Sequence, residues 1–429
     1  MIHVRENKLA QDSFYENRIV PSRVVLPLSQ HIGAPAVPCV EKGDAVSVGQ
    51  VIAAANGAVS ADIHSSVTGT VEDIKQVNHP ALKKCQAVII RTTDPEEFKR
   101  KESNINYFSR DELLDLIKGA GIVGMGGACF PTHVKLQPPE PVDTLIINGC
   151  ECEPYLGCDN RVMVENAHQI LEGASIVCRI LGIKKIVVGI EQNKPEAVKR
   201  FNSKLHTKRY EDFPKDVKIQ ILPSLYPQGS EKQLIYNTTK RVVPAGGLPL
   251  NVGCVVHNVG TLLAVYEAVF WGKPLIERIV TLAGSALKEP VNVHVRVGTL
   301  VSELLEKEVV KLQSSPRKIV FGGPMMGPAV NTFDMPILKG TSGVLFLAED
   351  DCCVKQETIC IRCSRCIDAC PMNLMPQLYP KYVKEGNIDG LKESYVNDCM
   401  ECGSCTFICP AKIPIVSYIK TAKQKLRKL

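Results

Sequence analysis

The chain carries the pattern C-x2-C-x2-C-x3-C-P twice, at Cys360, Cys363, Cys366 and Cys370-Pro371, and again at Cys399, Cys402, Cys405 and Cys409-Pro410. Three cysteines at three-residue spacing wrap three corners of one four-iron cubane, while the fourth points away and ligates the other cluster. The spacing thus assigns Cys360, Cys363, Cys366 and Cys409 to one cluster and Cys399, Cys402, Cys405 and Cys370 to a second. Structural zinc is the competing reading. Zinc takes paired C-x2-C units and often histidine, and no histidine lies in this module. A fold that shares ligands in this way must bring the two motifs face to face, within electron-transfer distance. Cys352 and Cys353 fit neither motif and read as incidental thiols.

The cysteines number 18 in 429 residues, and Met1–Ala10 is mixed and charged, with no apolar leader. That combination argues for metal rather than disulfides and for a cytoplasmic chain. No run of about 18 uncharged apolar residues is present. Asn251–Gly272, the nearest candidate, is interrupted by His257, Asn258 and Glu267 and reads as a buried strand followed by a helix. The formal charge is +6, with lysine and arginine scattered except in Lys420–Lys428. Each oxidised cluster with four thiolates adds about −2, so the basic balance does not point to nucleic acid.

The order of patterns implies an α/β multidomain chain. Val24–Leu28, Val51–Ala55, Val67–Ile74 and Ala87–Thr92 are short apolar or β-branched runs separated by turn residues, which predicts an all-β domain over 1–95. Val40–Ile52 and Ile63–Val71 resemble a lipoyl or biotinyl carrier domain, a barrel-sandwich fold. His64-Ser65-Ser66 stands where the carrier lysine would be, so no swinging arm is expected. Asp94–Asn106 reads as a polar linker. Over 107–260, apolar runs at Asp143–Asn148, Lys184–Gly189 and Lys218–Leu222 alternate with helical patterns at Asp111–Lys118, Asn160–Leu181 and Lys194–Lys204. Such alternation predicts a largely parallel sheet. A β-rich segment spans 277–346, the cluster module 352–415, and a basic amphipathic helix 416–429.

Gly119–Lys135 reads G-A-G-I-V-G-M-G-G-A-C-F-P-T-H-V-K. Glycines let a backbone approach a ligand, and the amides of such a loop can cradle phosphate. The loop lacks the strand-first context of a dinucleotide fingerprint and the lysine–serine pair of a P-loop. Composition alone leaves a plain tight turn equally open.

Further segments decide between these. Pro27–Pro35, Gly124–Leu136, Asn148–Asp159 (N-G-C-E-C-E-P-Y-L-G-C-D), Tyr226–Tyr236 and Gly246–Thr261, taken with the cluster module, resemble the RnfC family in its own order. That family comprises the NADH-facing subunit of membrane Rnf complexes and soluble relatives, among them the electron-transfer protein associated with proline reductase. Its flavin domain is similar to the flavoprotein subunit of respiratory complex I, and the segment after 277 resembles a soluble-ligand-binding β-grasp domain. The resemblance implies FMN between the glycine loop and Asn148–Tyr155, with NADH stacked upon it. Gly124, Gly126, Gly127 and Lys135 would hold the phosphate side, and Asn148, Glu151, Tyr226 and Gly229 would contact flavin. Phe130, Glu153 and Glu231 match positions around the nicotinamide nucleotide.

The expected function is an NADH-dependent oxidoreductase subunit using FMN and two 4Fe-4S clusters. Its partners would be Rnf-type membrane subunits, ferredoxin or a terminal reductase, which would make it cytoplasmic or peripheral on the membrane through those subunits. Two alternatives stay open: a soluble donor to a reductase, and an iron–sulfur carrier without nucleotide binding. The start, M-I-H-V-R-E-N-K, keeps an I-H…E-N-K trace but lacks the G-G-x-H-P of RnfC proper. Ser230 stands where the complex I relative has a glutamate. Cys129 and Cys150, beside Phe130 and Glu151, read as small buried hydrophobes or as thiols activated by neighbouring amides.

Overall fold

A computed structural model describes the chain except residues 18, 102–107, 206–213, 353–355 and 429. Cys353 and the end of the expected linker lie outside the described residues.

Alternating small and β-branched residues build a barrel sandwich. Arg23–Pro27, Lys83–Asp94, Thr68–His79 and Ala45–Val46 form one sheet, and Val37–Pro38, Val51–Ala54 and Ile63–His64 the other. Val24, Leu26, Ile52, Ile63, Val88 and Ile90 fill the space between them. His64, Ser65 and Ser66 at the former carrier position are buried. Ser66 Oγ donates to Val297 O at 2.6 Å. The tip that swings free in carrier domains is here a fixed joint.

The central domain is a four-stranded parallel sheet in the order Asp216–Leu222, Lys185–Glu191, Thr144–Gly149, Cys254–Asn258. Its strands are apolar throughout because helices, chiefly Cys158–Leu181 and Val259–Trp271, cover the sheet. The chain builds outward from Thr144–Gly149 through two strands, then returns to place Cys254–Asn258 on the other side. The reversal point therefore lies between Asn148 and Asn258, which are register partners. In open α/β sheets a crevice forms outside the strand C-termini at such a point, and ligands bind there.

The segment after 277 contributes Glu277–Ala283, Val291–Arg296, Lys318–Phe321, Ala329–Val330 and Gly343–Leu347 to a six-stranded mixed sheet. Its sixth strand is Phe14–Tyr15, which pairs parallel with Val291–Arg296. The first residues thus leave the barrel and join the β-grasp sheet.

The cluster module is compact, with short helices around Leu374, Tyr379, Leu391, Val396, Ile413 and Ile419. Its closing helix, Ile415–Leu426, buries Ile415, Ile419 and Ala422 in that core. Among the described residues no helix is long and apolar enough to cross a membrane.

Candidate functional site

The glycine loop folds back on itself. Gly124 N donates to Phe130 O at 2.8 Å, and Thr132 N to Ile122 O at 2.9 Å. Met125 N donates to Thr261 Oγ1 at 2.9 Å, pinning the loop to the helix after the switch-point strand. Gly126 packs on Asn258, where a Cβ would come within 3.3 Å of the asparagine's own. Gly127 has φ +133°, and a Cβ there would meet nothing within 4 Å. The loop is therefore glycine-shaped without protein filling the space beside it, the form of a cradle for a ligand backbone or phosphate. Phe130 is half-buried at its rim.

Lys135 closes the short helix Thr132–Lys135 and aims across the crevice. Its Nζ donates to Glu231 Oε1 at 2.8 Å. His257, buried behind it, leaves Nε2 without a partner. Burial and the Lys135 charge drive its pKa well down, so it stands neutral. An exposed-glycine cradle, a cation and an unpartnered imidazole nitrogen fit the phosphate end of a flavin mononucleotide.

The opposite wall is knitted from two loops. Asn148 Nδ2 donates to Gly229 O at 2.8 Å, Asn148 Oδ1 accepts from Cys150 N at 3.0 Å, and Gly229 N donates to Cys152 Sγ at 3.4 Å. Glu151 turns toward the start of helix Cys158–Leu181, accepting from Asp159 N at 3.0 Å, Asn160 N at 3.4 Å and Cys158 Sγ at 3.3 Å. Glu151, Cys158 and Asp159 lie close enough together to suggest a metal site. The backbone donors explain the cluster instead, as a carboxylate capping a helix N-terminus. Burial and the Glu151 charge raise Asp159 to about 7. Asn258 Nδ2 donates to Asp159 Oδ2 at 2.7 Å.

Glu153 faces away from the glycine loop. Its Oε2 accepts from Met325 N at 3.0 Å, in the β-grasp turn Gly322–Gly327, and Tyr226 Oη reaches Oε1 at 3.4 Å. Burial pushes its pKa up to about 7. Tyr226, essentially inaccessible, also donates to Cys402 O at 2.6 Å. One buried side chain thus joins the crevice wall to a cysteine motif. Gln233 adds a second tie, Nε2 to Pro371 O at 2.7 Å.

The motif cysteines sort into two groups by mutual electrostatic reach. Cys366 faces Cys360, Cys363 and Cys409, whereas Cys405 faces Cys399, Cys402 and Cys370. The second group lines a cavity with Leu374 and Tyr379. It lies beside Tyr226, while Cys360 and Cys363 are exposed. Described cysteines are all free thiols. Cys129 holds φ +52° against Gly340, and Cys129 and Cys150 both have thiols raised by burial, as expected of inert thiols.

Residues 2–95 match the RnfC barrel sandwich hybrid domain, 117–267 the Nuo51 FMN-binding domain, and 359–413 the 4Fe-4S dicluster domain. The RnfC protein of the proton-translocating ferredoxin:NAD(+) oxidoreductase complex of Clostridium ljungdahlii is 45% identical over 416 residues, covering 95% of this chain and 89% of the relative. The chain belongs to the RnfC family. Its counterpart in the Na(+)-translocating ferredoxin:NAD(+) oxidoreductase complex of Acetobacterium woodii is 37% identical, over 95% of this chain and 91% of the relative. A solved NAD+-reducing nickel–iron hydrogenase overlaps at TM-score 0.47 and 18% identity, over 74% of this chain and 54% of that one, too loosely to carry an argument.

Within this RnfC-family fold, sequence reasoning did not single out Asn258, Thr261 or His257. Their signal was the N-V-G-T run following an apolar strand, where an asparagine caps the next helix: Asn258 Oδ1 accepts from Gly260 N at 2.8 Å.

Proposed function

We propose that this chain is the nicotinamide-nucleotide-oxidising subunit of a ferredoxin:NAD(+) oxidoreductase complex of the kind its relatives form. In this reading FMN occupies the switch-point crevice, and electrons leave through two 4Fe-4S clusters to partner subunits. The observation that carries it is the Tyr226–Cys402 hydrogen bond, which sets the crevice wall directly against the more buried cysteine group.

When bound, FMN supplies the exchange between hydride and single-electron chemistry, and the clusters supply the one-electron relay. The chain's own residues position and insulate. Lys135 and His257 meet the phosphate end, and Gly124, Gly126 and Gly127 keep the cradle clear. Asn148 and Gly229 fix the wall, and Phe130 offers a face for stacking. Glu231, released from Lys135 when a phosphate engages that lysine, becomes available to nucleotide hydroxyls. Glu153 serves as a buried joint between three parts of the fold. No side-chain acid or base is required for hydride transfer.

Cys399, Cys402, Cys405 and Cys370 would hold the inner cluster. Cys360, Cys363, Cys366 and Cys409 would hold the outer one, where exposed Ile359 and Ile361 flank Cys360. That order runs from the crevice to the surface.

Anaerobic reconstitution with iron, sulfide and FMN, followed by visible and electron-paramagnetic-resonance spectra after adding NADH, tests the reading. Flavin bleaching with reduced-cluster signals is the expected result. Clusters that dithionite reduces but NADH does not would overturn it and leave a carrier supplied by another protein.

A further inference from the structure

The I-H…E-N-K trace at the start of the chain has no part in the cofactor arguments above. The structure lays this segment along the crevice wall as a strap. Ile2 and Tyr226 exchange both backbone hydrogen bonds, each 2.8 Å. Tyr155 N donates to Glu6 O at 2.8 Å, and Asn193 Nδ2 to Glu6 Oε2 at 2.7 Å. Past the turn, Asn292 Nδ2 donates to Ala10 O at 2.6 Å. The strap therefore touches both loops of the wall, Asn148–Asp159 and Tyr226–Glu231, and the β-grasp sheet behind them.

Between these anchors Lys8 turns inward. Its Nζ donates to Glu151 O at 2.6 Å, Glu153 O at 2.9 Å and Leu156 O at 2.6 Å. An ammonium has three protons, and all three are used. Three carbonyl oxygens converging on one point repel one another, and a cation at that point reverses the sign of the interaction. The turn they define also contains Tyr155 at φ +70°. That conformation costs a non-glycine residue on the order of 1–2 kcal/mol and persists where its surroundings over-determine it. Here the surroundings are Lys8 on one side and Glu6 on the other. Burial lowers the Lys8 pKa, while the Glu151 and Glu191 charges oppose that shift.

We propose that Lys8 is a positioning residue for the flavin site: by gathering the carbonyls of Glu151, Glu153 and Leu156 it fixes the loop that presents Asn148 to the cofactor. The inference rests on the reading of that loop as the flavin wall. It makes the first ten residues part of the active site rather than of the barrel domain.

The test compares full-length, cluster-loaded wild type, Lys8→Met and Lys8→Arg. FMN affinity is measured by fluorescence quenching, iron is counted, and KM for NADH is read with ferricyanide as acceptor at saturating FMN. Lys8→Met is expected to weaken FMN binding about tenfold or more, the loss expected for buried charge-assisted hydrogen bonds, and to raise KM, with wild-type iron content. Lys8→Arg keeps the charge in a planar fork that suits three converging acceptors less well, so it should recover most of the loss. Unchanged affinity and KM in Lys8→Met would overturn the proposal. Should Lys8→Met fail to fold, Lys8→Arg decides: a several-fold weakening of FMN supports the proposal, and wild-type affinity refutes it. Wild type that binds no FMN would instead remove the flavin reading and this inference with it.

Discussion

Lys135 and Glu231 form an ion pair across the crevice, Nζ to Oε1 at 2.8 Å, with both side chains partly open to solvent. The two come from opposite walls, Lys135 after the glycine loop and Glu231 at the first turn of helix Glu231–Thr239. An exposed pair contributes little to stability, so its value lies in what replaces it. A phosphate offers Lys135 a stronger, charge-assisted partner. Lys135→Met should weaken FMN binding by about 2 kcal/mol, roughly thirtyfold, and shift the melting temperature of the apoprotein little. Titration calorimetry with FMN, beside a thermal melt, checks both halves.

The two cysteine groups predict unequal consequences of losing one ligand. Cys409 belongs with exposed Cys360 and Cys363, and Cys370 with Cys399, Cys402 and Cys405 beside Tyr226. Cys409→Ala should cost about four irons and leave the inner cluster reducible by NADH. Cys370→Ala should cost as many and leave the outer cluster reducible by dithionite but slow with NADH. Iron analysis and freeze-quench paramagnetic resonance distinguish the two, and identical behaviour would refute the inner-to-outer order.

Lys339 gives a pH signature. Its Nζ donates to Asp62 O of the barrel at 2.6 Å and to Gly121 O of the flavin domain at 2.7 Å, and its own amide donates to Gln30 Oε1 at 3.0 Å. Burial lowers its pKa from 10.5 to about 7. Below pH 7 the amine is protonated in both folded and unfolded chains, and the cost of burying the charge is fully present. As pH rises from about 7 toward 10 the folded chain releases that proton and the unfolded chain keeps it, so stability climbs. The gain between pH 7 and 9 should be on the order of 2 kcal/mol. Lys339→Met should be less stable at pH 9 and lose that slope. Urea midpoints of both proteins at the two pH values test it.

What the sequence made legible was what short-range pattern encodes. Asn251–Gly272 is a strand, Cys254–Asn258, and a helix, Val259–Trp271, because polar residues break its apolar run at the boundary. The cysteine spacing carried its own pairing, since motif geometry is local. The strap was not legible, because Phe14–Tyr15 pairs with Asn292–Val293 through contacts that no periodicity announces. Nor was the place of Glu153. G-G-P-M-M-G reads as a plain turn, and only the assembled fold brings Met325 N to that carboxylate. Lys8 and Lys339 look like surface lysines in a string of letters, and become buried only when separate domains close over them.

Two glycines of the crevice should fail in opposite ways. Gly229 lies so close to the facing loop that an added Cβ would stand 2.4 Å from Cys150 O, a backbone atom that cannot swing aside. Its carbonyl is already held by Asn148 and its amide by Cys152. Gly229→Ala must therefore prise the wall apart, at about 1–3 kcal/mol of overpacking, and the apoprotein should melt lower before any cofactor is added. Gly127 faces open space, and alanine there meets no protein atom. Its φ of +133° makes the substitution strained, by about 1–2 kcal/mol, but the new methyl group projects where the cofactor would lie. Gly127→Ala should accordingly lower the melting temperature modestly and weaken FMN binding far more than that strain accounts for. Melting curves of both variants with and without FMN separate the cases: ligand-induced stabilisation should survive in part for Gly229→Ala and vanish for Gly127→Ala. Full stabilisation of Gly127→Ala by FMN would mean that the cradle does not hold the flavin.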